Sequence, residues 1–287
     1  MQFGFSSMNT HRQVPPAELA VAAEERGFES IWYGEHSQIP TDRRSPHPRD
    51  DELRDPYKFM MDPYVSLTAA GSVTSRLKLG TSVSLILERE LFSQAKTIMT
   101  LDRLTHGRLL VGVGVGWNQE QFENATDLPW KRRFSAMRET VAALRVLWSQ
   151  EEPEFHGELI DFDPVWCSPK PVQKPGPPIL FGAMGPVGLR HTIEWADGWM
   201  PLDLHLEEPG KSIATMRRRV EEAGRDPACF EISIVVMSKA TRDKLAHFRD
   251  LGVDRCLVGA PMAAWDQPGE MMRELDALAE IIQQVGA

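Results

Sequence analysis

The chain has 287 residues, 42% apolar, 8% aromatic and 25% charged, enough for one large domain or two small ones with a core that needs no metal or disulfide staple. Lys and Arg total 32 against 41 Asp and Glu, a net charge of −9, which argues against a large phosphate-neutralising surface and so against a nucleic-acid partner. Cys167, Cys229 and Cys256 are odd in number and far apart, which excludes a disulfide framework or a CxxC zinc site; with no basic-then-apolar leader and no run of membrane-spanning length, a cytoplasmic protein without membrane contact is expected.

In chain order, strand signals fall at 2–5 (QFGF), 29–34 (ESIWYG), 77–85 (LKLGTSVSL), 108–115 (RLLVGVGV), 178–182 (PILFG), 198–201 (GWMP), 230–237 (FEISIVVM) and 254–259 (DRCLVG). Helical patterns alternate with them, from PAELAVAAEERG after a proline to the closing MMRELDALAEIIQQVG, and several stop at Gly. Eight such units of about 36 residues predict an α/β fold, a (β/α)8 TIM barrel forming a single domain over 1–287. A doubly wound open sheet would also alternate its elements, but the dinucleotide fingerprint it would carry is missing.

Three insertions hold the surplus: residues 35–62, 116–130 and 151–177. The first two follow strand C-termini, where barrels place their chemistry, and are expected over the active face. The third has hairpin-like aromatic alternation around HGE and then an extended Pro segment. The charged DRRSPHPRDD run reads as a solvated loop, or as a lid touching an anion through Arg43, Arg44 or Arg49.

Three strings point to chemistry. In Gly112-Val113-Gly114-Val115-Gly116-Trp117, GxGxxG fails because Trp stands where the third Gly is needed. The alternating glycines leave one strand face bare, which suits a planar ring; close packing of neighbouring side chains gives the same pattern. Glu35-His36 lies at the C-terminal end of a strand, where His36 could exchange a proton near neutrality and Glu35 could orient or hydrogen-bond a ligand. Gly182-Ala183-Met184-Gly185-Pro186 precedes a helix, and backbone amides at such a start bind phosphate. No HExxH pair, GxSxG elbow or GxxxxGK[ST] loop occurs, which disfavours a His-based metal site, serine hydrolysis and P-loop chemistry.

SIWYGEH, RLKLGTSVSLILERELFSQAKTIMTLDRLTHGRLLVGVGVGW, PKPVQKPGPPILFGAMGP and WADGWMP, in this order over nearly the whole chain, closely resemble the bacterial luciferase-like monooxygenase superfamily, and within it the F420-dependent oxidoreductase branch. The resemblance implies a barrel, commonly dimeric, holding coenzyme F420 or FMN at its C-terminal face. It further implies catalytic roles for His36 and Glu35, with His36 also close to the reactive ring. Ser82-Val83 matches a bulge with a non-prolyl cis peptide behind that ring, Gly114 belongs to the glycine face beside it, Gly182, Ala183, Met184, Gly185 and Pro186 match the phosphate loop, and Gly198 and Trp199 match the cleft lining. Where the superfamily's sugar-phosphate dehydrogenases carry an acidic Glu, this chain has Trp117, so an apolar or aromatic substrate touching Trp117 is expected, with Trp130 and the Met-containing insertion adding apolar area. The implied reaction is hydride transfer between F420 and a small organic substrate, with a homodimer and a separate F420 or flavin reductase as partners. An FMN-dependent monooxygenase using O2 is the alternative, and a non-catalytic F420- or flavin-binding protein stands in a different class.

Overall fold

The computed structural model describes residues 1–47 and 53–286, so Arg49 of the charged loop lies outside the described residues. Eight parallel strands close into a barrel in the order β1 (Gln2–Ser7), β2 (Ser30–Tyr33), β3 (Lys78–Thr81), β4 (Leu109–Val113), β7 (Ile179–Phe181), β8 (Gly198–Trp199), β9 (Glu231–Val235) and β10 (Arg255–Gly259). Closure comes from β1 lying beside β10, with Phe3 opposite Cys256 and Phe5 opposite Val258. Around them run α1 (Pro16–Glu25), α2 (Pro63–Val73), α3 (Leu91–Leu104), α5 (Arg133–Ser149), α6 (Gly185–Trp195), α7 (Pro209–Glu222), α8 (Arg242–Asp250) and α9 (Pro268–Gly286). The fold is the (β/α)8 barrel the alternation predicts. No described helix is long and apolar enough to cross a membrane.

Alternation along each strand sorts side chains into two cores. Outward residues such as Phe5, Ile31, Leu79, Val111, Phe181 and Trp199 pack under the helices. Inward ones, Trp32, Leu110, Leu180, Met200, Val235 and Leu257, fill the barrel. Trp32 fits because β1 and β3 have glycines beside it: a Cβ on Gly4 would stand 2.5 Å from Trp32 Nε1, and one on Gly80 2.1 Å from its Cε3. Below Trp32, Arg255 plugs the N-terminal end, donating from Nε to Glu29 at 3.0 Å and pairing with Glu231. Its guanidinium carbon lies 5.5 Å from the Trp32 ring.

The third insertion forms the expected hairpin, β5 (Phe155–His156) against β6 (Asp161–Phe162). Its proline-rich continuation is pinned to α3 by Asp102, which accepts from the backbone N–H groups of Val172 and Gln173 at 2.7 and 3.1 Å. The second insertion holds an element the sequence reading leaves out, the short helix α4 (Gln119–Ala125), whose N-cap Asn118 accepts from Gln121 N–H at 2.9 Å. Cys167 and Cys256 are buried thiols and Cys229 is exposed, all free.

Candidate active site

Ser82-Val83 follows β3 directly, and the peptide between them is cis and non-prolyl. Ordinary hydrogen bonds frame this bulge on both sides. Ser82 N–H donates to Tyr33 O at 2.8 Å, Ser84 N–H to Gly112 O at 2.7 Å, and Gly114 N–H to Ser84 O at 3.1 Å. Behind it lies Glu35, which is buried; it accepts from Ser84 Oγ at 2.7 Å, Leu85 N–H at 2.8 Å and Arg89 Nε at 2.6 Å. Arg89 also reaches Asp62, tying the bulge to the start of α2. Both Glu35 oxygens are thus taken up within the protein.

Val83 stands half-buried at the barrel mouth above Met200 and Leu202. A Cβ on Gly114 would lie 2.6 Å from Val83 Cγ2, and one on Gly182 2.9 Å from Val83 Cγ1. At Gly112 it would lie 2.0 Å from Thr81 O and 2.5 Å from Met200 Cε. At Gly112 and Gly114 the glycine face is therefore not a bare wall, whereas a Cβ on Gly116 would meet Leu85 only at an ordinary 3.5 Å. Neighbouring side chains fill the face at the first two positions, and Gly114 acts by seating Val83.

His36 follows β2, the neighbour of β3, and its Nδ1 lies 2.6 Å from Gln121 Oε1 on α4. Its ring packs edge-on against Tyr57 and Trp117, with centroids at 5.3 and 5.8 Å. His47 joins this group at 5.2 and 5.0 Å from the same two rings, and Trp265 stands 6.5 Å from Tyr57. Burial pushes the His36 imidazole down to about 4, the Gln121 bond opposing this and the nearby His47 reinforcing it, so His36 is neutral at pH 7. Glu88 is shifted toward neutrality: burial raises its carboxyl to about 7, the charge on Glu35 adds to the rise, and the hydrogen bond donated by Gln121 opposes it. Glu88 and Gln121 are absent from the sequence reading. Nothing in their local context marks them, because their roles arise only where two loops meet.

The described residues of the first insertion pack at the C-terminal ends of β1 and β2. Its backbone pairs with the loop after β1, where Met61 N–H donates to Asn9 O at 2.8 Å, and the Met60 methyl sits above Gly34. Arg44 is bound to Glu120 of α4 at 3.2 Å, while Arg43 lies 5.4 Å from the Trp117 ring. Trp130 turns away from this group and packs on Phe122 at 5.3 Å.

Gly182 and Ala183 lead from β7 to Met184, and α6 opens at Gly185 with φ 74° and no side-chain cap on its first amides. Open space surrounds the place where a Gly185 Cβ would stand, and Gly185 and Pro186 are exposed. Two residues expected in the cleft lie elsewhere. Trp199 points outward under α6 and donates from Nε1 to Ala183 O at 3.0 Å. Gly198 faces inward but pairs with Leu180 and Glu231, one layer beneath Met200. Strand alternation puts Met200 and Leu202 at the mouth instead.

Residues 1–255 match the family described as luciferase-like monooxygenase. A Mycobacterium tuberculosis protein described only as uncharacterized is 38% identical over 286 residues, covering 96% of this chain and 98% of its own. The coenzyme F420-dependent tetrahydromethanopterin reductase of Methanopyrus kandleri superimposes with a TM-score of 0.72 at 16% identity over 97% of each chain. A long-chain alkane monooxygenase does so with 0.74 at 14% identity, over 100% of this chain and 92% of the other. At such identities the two structures speak for the fold, and the family match places the chemistry among oxidoreductases: the chain belongs to the luciferase-like monooxygenase family.

Proposed function

We propose that this chain is an F420-dependent oxidoreductase that transfers a hydride between the coenzyme and a small organic substrate. The observation that carries the reading is the barrel mouth itself, with Val83 held forward between Gly114 and Gly182, His36 at the end of the adjoining strand, and the glycine-opened start of α6 following β7. The open, uncapped start at Gly185 fits a phosphate, and Val83 offers an apolar surface to the face of a planar ring.

The chemistry that bound F420 supplies is hydride transfer to or from a carbonyl, imine or activated alkene. The protein's part is position and proton handling. The backbone N–H groups of Ala183, Met184 and Gly185 would hold the phosphate, since that of Gly182 is given to Val113 O and Pro186 has none, and Val83, kept in place by Ser84 and Glu35, would back the ring. Glu35 is then a positioning residue, acting through the bulge and not on the substrate. With Nδ1 of His36 taken up by Gln121, Nε2 is the nitrogen that holds or receives the substrate proton. Tyr57, Trp117 and Met60 keep water from the mouth and favour an apolar or aromatic substrate. A homodimer and a separate F420 reductase belong to the same proposal, and the exposed Val65, Val73 and Leu104 on the adjoining α2 and α3 support the dimer.

Oxygen uptake separates this reading from a flavin monooxygenase. With reduced FMN, the protein should consume oxygen no faster than a buffer blank. Protein-dependent uptake together with stoichiometric FMN binding would assign the site to flavin.

A further inference from the structure

Gln121 stands between two titratable groups that come from different loops. Its Oε1 lies 2.6 Å from His36 Nδ1, and its Nε2 donates to Glu88 Oε2 at 2.7 Å. The residue is anchored by Asn118 Oδ1 on its backbone N–H at 2.9 Å and by Gln38 Nε2 on its carbonyl at 2.9 Å. An ionised carboxylate only accepts hydrogen bonds, so it draws the amide NH2 toward itself and leaves the amide oxygen facing His36. That oxygen can be met only by an imidazole whose hydrogen is on Nδ1.

We propose that Gln121 and Glu88 are positioning residues that set the tautomer of His36 and so decide whether its Nε2 accepts or donates. With Glu88 ionised, Nδ1 carries the hydrogen and Nε2 presents a lone pair. With Glu88 protonated, its O–H is given to the amide oxygen, the amide turns over, Nδ1 accepts from the amide NH2, and the hydrogen resides on Nε2. The proton gained by Glu88 comes from solvent, the imidazole keeps one hydrogen throughout by exchange with water, and no electrons move. The inference rests on the proposed redox site: an Nε2 lone pair takes the proton of a substrate being oxidised, and an Nε2–H gives one to a substrate being reduced.

Glu88 is faced by Glu35, by Arg89 and by Ser37 Oγ at 3.4 Å, and His36 by His47, Tyr57 and Trp117. The raised Glu88 carboxyl puts the exchange near neutrality, while His36 stays neutral on both sides of it.

The test is the 15N spectrum of the His36 ring in the full chain, assigned by the signals lost in His36→Gln and followed from about pH 5.5 to about pH 9. The hydrogen should reside on Nδ1 at the alkaline end and shift to Nε2 as pH falls through about 7. Glu88→Gln should abolish that shift and Glu88→Asp should retain it. Gln121→Glu, a second variant independent of the first, should raise the His36 pKa well above about 4 by placing a carboxylate on Nδ1. An Nε2–H tautomer at alkaline pH, or a pH response that survives Glu88→Gln, overturns the proposal. F420 fluorescence in the same samples keeps the two readings apart. A tautomer shift without F420 binding defeats the functional reading alone, and binding without the shift defeats the relay alone.

Discussion

His36 sits under two opposed influences, burial that disfavours its charge and a hydrogen bond from Nδ1 that fixes its ring. It is therefore a neutral group holding a proton at a defined place and not a histidine poised at pH 7. His36→Ala should lower turnover about 100-fold or more while F420 binding persists, because positioned proton transfer contributes on that scale; steady-state kinetics beside a binding titration checks this, and unchanged turnover would remove His36 from the mechanism. The place of His36 was legible from the strand that precedes it. Its partners were not, since Gln121 is 85 residues away and reaches it only through the fold. Glu35 shows the converse: adjacent in sequence, it turns to the opposite side and serves the bulge.

Among the elements, all eight barrel strands and the eight surrounding helices were legible, because strands buried on both faces read as short apolar runs and the helices between them as amphipathic patterns of period 3.6. Short pieces escaped: α4 has seven residues and buries only Gln121 and Phe122, too little for a visible apolar stripe. Gly112 and Gly114 needed three dimensions, since what fills their face, Val83 and Met200, comes from the segments that follow β3 and β8. Gly114→Ala should destabilise the protein by about 1–3 kcal/mol, the new Cβ meeting a Val83 side chain that is stiff at χ1. Adding Val83→Ala should recover most of that loss in chemical denaturation while leaving F420 binding weak. Additive losses would mean that the two positions do not couple.

Taken whole, the barrel separates stability from chemistry along its axis. The N-terminal end is closed by Arg255 with Glu29 and Glu231, and the C-terminal end carries the bulge, His36 and the loop into α6. Arg255→Met should cost about 3 kcal/mol by leaving two carboxylates without their shared cation, yet F420 affinity in the folded fraction should not change. Calorimetry and a binding titration on the same sample read the two effects. The net charge of −9 is compatible with an anionic coenzyme, because oriented amides at a helix start act locally where a basic surface is lacking. Coenzyme binding is tested by titrating the purified chain into F420 and following its fluorescence. Saturable quenching with micromolar or tighter affinity at one coenzyme per chain is expected; undiminished fluorescence, alongside stoichiometric binding of FMN, would rule out F420 as the coenzyme.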